Sequence, residues 1–269
     1  MGLGIAQLGI QHGLPTILFD LNPVALEKAH AAIAAGLVKL VEKNKLTAEA
    51  RGAALSRLTL TTDMAVVQAE LIIEAVVERL DVKHQLFREL AVLNGPTTIL
   101  ASNTSSLPIT QLAAPVPHPE RVVGLHFFNP APLMALVEVI SGVATAPAVT
   151  DAVEALARRL GKTPVRAADA PGFIVNRVAR HYYVESLKIV EEQVAPFELV
   201  DELLQASGFK MGPFRLMDLI GVDTNFAVTS AMFASFHQDA KFRPSRIQQQ
   251  KVDAGHHGRK TGRGFYDYS

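Results

Sequence analysis

The sequence predicts an α/β protein: a doubly wound sheet over residues 1–168, followed by an all-α domain over 169–269. Two observations carry this. Through the first two-thirds, short apolar β-type runs alternate with helical stretches, the pattern of a parallel sheet covered by helices. After Thr163–Arg166 the character changes: Ala170-Pro171-Gly172 punctuates the chain, and the rest reads as helices broken by Gly-Pro pairs such as Gly212-Pro213. A length of 269 residues suits two domains of this kind.

The elements follow in order. Gly2-Leu-Gly4-Ile-Ala-Gln opens a helix, and Thr16–Asp20 is a short strand. Residues 23–45 carry Ala, Leu, Lys and Glu at helical spacing, with Asn22 as N-cap and Pro23 in the first turn. Leu71–Glu78 is the next strand, then an amphipathic helix over 81–93. Thr97–Ala101 is a strand that ends at Ser102-Asn103-Thr104-Ser105-Ser106. Arg121–Phe127 and Leu136–Ile140 are the last clear strands before a helix over 149–160.

Composition narrows the function classes. Lys+Arg and Asp+Glu both number 26, so no global field draws nucleic acid or an anionic membrane. With no cysteine, disulfides, thiol catalysis and thiolate metal sites are excluded, and a reducing compartment fits. No apolar run approaches the roughly 20 residues that span a bilayer. The N-terminus has no basic segment before an apolar stretch, so a cytoplasmic location is expected.

Residues 124–140 are the most informative stretch. Two apolar runs flank a turn with two prolines, and each carries one ionisable residue, His126 and Glu138. Neither suits burial alone, because an unsatisfied buried polar group costs several kcal/mol, roughly its lost hydration. If the runs fold back on each other, imidazole and carboxylate meet, which is how a general base is built near neutral pH. From this segment alone, a catalytic pair and a packed core histidine beside an edge glutamate stand level.

A dinucleotide-binding start needs a strand, Gly-x-Gly-x-x-Gly and a helix, with an acidic residue about 20 positions on. Here Gly2 and Gly4 look like the end of that loop, and Asp20 sits where a carboxylate takes ribose hydroxyls and disfavours a 2′-phosphate. The first strand and first two glycines of the pattern are absent. Glu78, Lys83 and Ser102–Ser105 fall where an open α/β sheet binds ligands, at the carboxyl ends of strands. A solvated helix face for Lys83 and a helix-capping loop for Ser102–Ser105 are the plain alternatives.

Ser102-Asn-Thr-Ser-Ser-Leu107, Gly124-Leu-His-Phe-Phe-Asn-Pro130, Leu136-Val-Glu-Val-Ile140 and Pro171-Gly-Phe-Ile-Val-Asn-Arg177 occur in this order. With them the chain resembles L-3-hydroxyacyl-CoA dehydrogenases over nearly its whole length. Met211-Gly-Pro-Phe214 and Gly258-Arg-Lys-Thr-Gly-Arg-Gly-Phe-Tyr-Asp267 extend the likeness.

The resemblance implies a Rossmann-like NAD domain, a helical domain that forms a homodimer interface, an acyl-CoA substrate and a role in fatty-acid β-oxidation. It places the catalytic histidine on His126, its orienting glutamate on Glu138, and substrate-oxygen contacts on Ser105 and Asn176. NAD contacts fall on Asp20, Glu78, Lys83 and Asn103, and a CoA contact on Lys43, with Lys39 and Lys45 as close competitors. No metal is implied.

Two alternatives remain: a dehydrogenase of dicarboxylic 3-hydroxyacyl-CoA such as 3-hydroxyadipyl-CoA, or a truncated fragment with impaired NAD binding. The absent strand favours a start assigned too late, with one strand and its loop upstream.

Overall fold

Gly2 opens the first helix of a computed structural model that describes residues 1–268. The chain divides into two units, Met1–Asp169 and Ala170–Ser269. In the first, α1 (Gly2–Gln11) is buried from Gly4 to Ile10, as expected of a helix apolar on every side. Its Ala6 and Ile10 pack on Ile33, Leu37 and Ala54, while Ile5 and Leu8 join the core of the main sheet.

Strand β1 (Thr16–Phe19) leads to α2 (Pro23–Glu42). Asn22 caps that helix by accepting from the amides of Val24 and Ala25, with Pro23 in the first turn. Then come α3 (Ala48–Leu55), capped by Thr47, and β2 (Leu58–Thr61). Neither stands out in the sequence, because four alternating residues and one short helix give too weak a period.

The main sheet has the order β3 (Leu71–Glu74), β4 (Ile99–Ser102), β5 (Val122–Phe127), β6 (Leu136–Ser141) and β7 (Thr163–Ala168). Helices α4 (Leu80–Leu93), α5 (Ile109–Ala113) and α6 (Pro147–Arg159) connect its strands. The sheet is mixed rather than wholly parallel: β5 and β6 run antiparallel, and every other pair is parallel.

β1 pairs with β2 in a separate two-stranded sheet, and no hydrogen-bonded ladder joins it to β3 among the described residues. The strands beside this break, β1 and β3, are mostly half-buried, whereas β5 is buried at every position. A Cβ on Gly2 would lie 3.9 Å from both Leu18 of β1 and Ala75 just after β3, so α1 begins between the two pieces.

The strand expected over 71–78 stops at Glu74. Its carboxylate accepts the Val76 amide at 3.1 Å, turning the backbone out of the sheet, so Glu78 lies in the loop before α4. The core sits on Ala101, Val123, Leu125, Val137 and Val139, covered by Val153 and Ala157 of α6.

The second unit is helical: α7 (Val175–Glu191), α8 (Phe197–Ala206), α9 (Pro213–Ile220), α10 (Val222–Ser235) and α11 (Arg246–Asp253). Tyr183, Leu187, Phe214, Met217 and Phe265 form its core. The C-terminal Gly-rich motif wraps Asp218, which accepts from the amides of Phe265 and Tyr266 and from the Tyr268 hydroxyl. Gly264 is obligatory there, since a Cβ would stand 2.0 Å from Asp218 Oδ1. Among the described residues, no helix is long and apolar enough to cross a membrane.

Candidate active site

The antiparallel pairing of β5 with β6 sets Gly124 opposite Ile140 and His126 opposite Glu138. Directly opposed residues share a face of the sheet, so the two ionisable side chains meet by register alone. His126 Nδ1 lies 2.8 Å from Glu138 Oε2, with the histidine 6% exposed and the glutamate 1%. An ionised carboxylate only accepts, so Nδ1 carries the proton and the basic lone pair is on Nε2. The Phe128 ring lies 4.5 Å from the imidazole, centre to centre.

The proline turn between the two strands is clamped by Lys162. Its ammonium donates to the carbonyls of Ala131 at 2.6 Å and Met134 at 2.8 Å, and burial lowers its pKa from the ordinary lysine value. The same turn packs on α1: a Cβ on Gly4 would come within 3.1 Å of Pro132 and 3.3 Å of Ala131. Gly4 thus lets the helix approach the segment that follows His126.

The Ser102–Ser106 loop lies at the carboxyl end of β4 and is held by Glu78. One carboxylate oxygen, Oε1, accepts from Thr104 Oγ1 at 2.5 Å, the Ser105 amide at 2.9 Å and the Ser106 amide at 3.1 Å. It also receives the hydroxyls of Ser105 at 3.3 Å and Ser106 at 3.1 Å. Burial alone raises the pKa of Glu78. The Thr104 hydrogen bond, the Lys83 charge and the Ser105 amide outweigh it, so the net shift is downward.

Asn103 ties the same loop to β5, its Oδ1 accepting the Phe127 amide at 2.9 Å. Lys83 is buried, and its ammonium lies 2.7 and 2.9 Å from the two oxygens of Glu74 and 3.2 Å from Glu78 Oε2. Three donors meet three acceptors, so any influence of Lys83 on a cofactor passes through Glu78 rather than through direct contact.

The remaining predicted residues are more scattered. Asp20 follows β1 directly, and its Oδ1 accepts the Asn22 amide at 2.9 Å. Lys43 is the exposed C-cap of α2, with Lys39 in that helix's last turn. Asn176 is half-buried near the start of α7, in the helical unit.

The residues present fit a dinucleotide. The N-terminus of α1 has no acidic residue in its first turn and no side chain capping it, and a Cβ at Gly2 would meet nothing nearer than 3.9 Å. The positive end of a helix dipole without a side-chain cap suits a phosphate.

Residues 1–170 match the 3-hydroxyacyl-CoA dehydrogenase NAD-binding domain, and residues 172–268 match the C-terminal domain of the same enzymes. The chain belongs to the 3-hydroxyacyl-CoA dehydrogenase family.

Its relatives include a 3-hydroxyadipyl-CoA dehydrogenase of Escherichia coli K12, 50% identical over 270 residues, covering 100% of this chain and 57% of that protein. A probable 3-hydroxybutyryl-CoA dehydrogenase of Bacillus subtilis is 40% identical, with 100% of this chain and 94% of the relative covered. The crystal structure of (S)-3-hydroxybutyryl-CoA dehydrogenase from Ralstonia eutropha superposes with a TM-score of 0.96 at 39% identity, covering 100% of this chain and 95% of that one. The chain therefore spans little more than half of the first relative and nearly all of the other two.

Ser102 and Thr104 lie within the Ser102–Ser105 stretch that the sequence points to, whereas Glu74 is not singled out there. The signal was there: a glutamate closing the apolar run Leu71-Ile72-Ile73, with a lysine nine residues on. Only the fold shows that the two are partners.

Proposed function

We propose that this chain carries out the reversible NAD-dependent oxidation of L-3-hydroxyacyl-CoA to 3-oxoacyl-CoA, with His126 as general base. The buried Nδ1–Glu138 hydrogen bond carries the assignment, because it fixes the imidazole in the tautomer that accepts a proton at Nε2. His126 takes the proton of the 3-hydroxyl at Nε2. Glu138 stabilises the imidazolium so formed and keeps the ring from rotating.

Ser105 is put forward as a substrate-oxygen contact: Glu78 holds its amide at 2.9 Å, and its hydroxyl, 3.3 Å from the same carboxylate oxygen, would turn from Glu78 to donate to the substrate oxygen. Asn176 is put forward as a second substrate contact on the strength of its Pro171–Arg177 motif alone. The residues proposed to hold NAD are Gly2 and Gly4 at the start of α1, Asp20 at the ribose, and Asn103 and Glu78 beside the Ser105 loop. When bound, NAD supplies the hydride acceptor.

Substituting His126→Gln tests the base. Turnover of 3-hydroxybutyryl-CoA is expected to fall about 10²-fold or more with the fold intact. Near wild-type oxidation by that variant would sink the assignment.

A dicarboxylic substrate is the second reading, favoured by the 50% identity to the Escherichia coli 3-hydroxyadipyl-CoA dehydrogenase. The ratio of kcat/KM for 3-hydroxyadipyl-CoA and 3-hydroxybutyryl-CoA separates the two. A cytoplasmic homodimer is part of the proposal. Exposed Val178, Leu199, Leu203 and Phe209 on the helical unit support self-association, and the absence of cysteine suits the compartment.

A further inference from the structure

Glu74 lies beneath the loop that carries Ser105, and its place in the network is more demanding than a structural ion pair requires. It is the last residue of β3, 4% exposed, and its carboxylate receives Lys83 Nζ at 2.7 and 2.9 Å, the Val76 amide at 3.1 Å and the Ser102 hydroxyl. Ser102 Oγ in turn accepts the Thr104 amide at 3.1 Å, and the Glu74 carbonyl accepts the Asn103 amide at 2.9 Å.

Lys83 passes the influence outward, meeting Glu78 Oε2 at 3.2 Å while Glu78 Oε1 gathers Thr104, Ser105 and Ser106. Every residue from Ser102 to Ser106 is therefore bonded to Glu74 directly, or through a short chain of Ser102, Lys83 and Glu78.

Burying the Glu74 carboxylate against the Lys83 ammonium is a poor way to gain stability, since well-packed apolar residues of similar volume are often neutral or better. What the charged arrangement provides is direction. Lys83 is held from below by both Glu74 oxygens, so it presents its remaining proton to one oxygen of Glu78, and the other oxygen faces the loop.

We infer that Glu74 is a positioning residue for the reaction, setting the Ser105 amide and hydroxyl through the Lys83–Glu78 relay. The kinetic part of this inference rests on the dehydrogenase reading above; the structural part does not. Without the Glu74 charge, Lys83 closes on Glu78, and that carboxylate is drawn away from the Ser105 and Ser106 amides.

The test uses the full chain with two variants. Glu74→Gln keeps the shape and removes the charge, and the double variant Glu74→Met with Lys83→Met removes the buried charges together. Amide hydrogen exchange over residues 103–107 is followed by mass spectrometry, beside kcat and KM for 3-hydroxybutyryl-CoA and the melting temperature.

In Glu74→Gln the Ser105 and Ser106 amides are expected to exchange about 10-fold faster or more, while the β5 amides stay unchanged. Turnover is expected to fall about 10- to 100-fold with KM nearly constant, as misplaced contact groups do. In the double variant the melting temperature returns toward wild type, while exchange and kcat do not.

Wild-type exchange at Ser105 and Ser106 in either folded variant overturns the inference. So does recovery of kcat together with stability in the double variant, because the pair would then be structural only. If Glu74→Gln does not fold, the double variant alone decides. If the wild-type chain shows no turnover, the dehydrogenase reading fails, and the exchange data still decide the role of Glu74.

Discussion

Replacing Glu138 by glutamine isolates the charge of the dyad from its shape. The amide oxygen of the variant can still accept the Nδ1 proton at about the native 2.8 Å, so the imidazole keeps its tautomer and the core keeps its volume. What disappears is the negative charge facing an imidazolium that exists only after proton transfer has begun.

Two estimates bracket the loss. A hydrogen bond to a charged group contributes about 1.5–3 kcal/mol against roughly 0.5–1.5 for a neutral one. Two unit charges 4 Å apart interact by about 4 kcal/mol at an effective dielectric near 20. A loss of about 3 kcal/mol lies between them, on the order of 10²-fold in kcat. KM for the acyl-CoA should barely move, because Glu138 is 1% exposed and acts through the imidazole.

The assay is NADH formation from 3-hydroxybutyryl-CoA by absorbance, with thermal unfolding in parallel. A kcat within about threefold of wild type, corresponding to less than about 1 kcal/mol, would refute the electrostatic role. A fall in melting temperature that tracks the loss of activity would refute the separation of charge from shape.

Three further outcomes are expected. Asp20→Ala should lose about tenfold or more of any preference for NAD over NADP, since it removes a carboxylate that disfavours a 2′-phosphate; an unchanged ratio of kcat/KM values counts against a ribose role. Gly4→Ala should cost about 1–3 kcal/mol of stability, because its methyl meets Pro132 at 3.1 Å, whereas Gly2→Ala, with nothing nearer than 3.9 Å, should melt like wild type. Because the pKa of Glu78 is lowered in the fold, its hold on the loop is complete above the ordinary glutamate range and fades only as pH falls through the lowered value. The Ser105 and Ser106 amides should therefore stay protected at about pH 5 and lose protection relative to their intrinsic exchange rates on further acidification, and protection already lost at about pH 5 contradicts the relay.

The local signals were strong where chemistry and period coincide. Asn22-Pro23 announces a capped helix whose cap the structure shows, and the four β-type segments from Leu71 to Ile140 match β3 to β6 of the main sheet, with β7 added by the fold. A histidine and a glutamate on two apolar runs either side of a proline turn made their pairing an open question that sequence could pose. The antiparallel register, His126 opposite Glu138, answers it. One residue of slip would have sent one of the two to the other face of the sheet.

Elsewhere, residue type misled about role. Lys83 reads as a crevice residue, with a solvated helix face as the plain alternative, and is buried, because Glu74 at the end of β3 lies at the floor of the same loop. Glu78 reads as the end of a strand. It lies beyond one, since Glu74 folds onto the Val76 amide and ends β3 early.

The sequence by itself determined the α/β alternation, the change of character near residue 166 and the motifs that mark the family, because periodicity, caps and turn residues act between neighbours along the chain. Tertiary structure alone decided which charges are buried and whom they meet. The pairs His126–Glu138, Glu74–Lys83 and Glu78–Ser105 join residues on different elements. They form only where the fold brings donor to acceptor, and in the first two burial also strips away water, a condition no local pattern encodes.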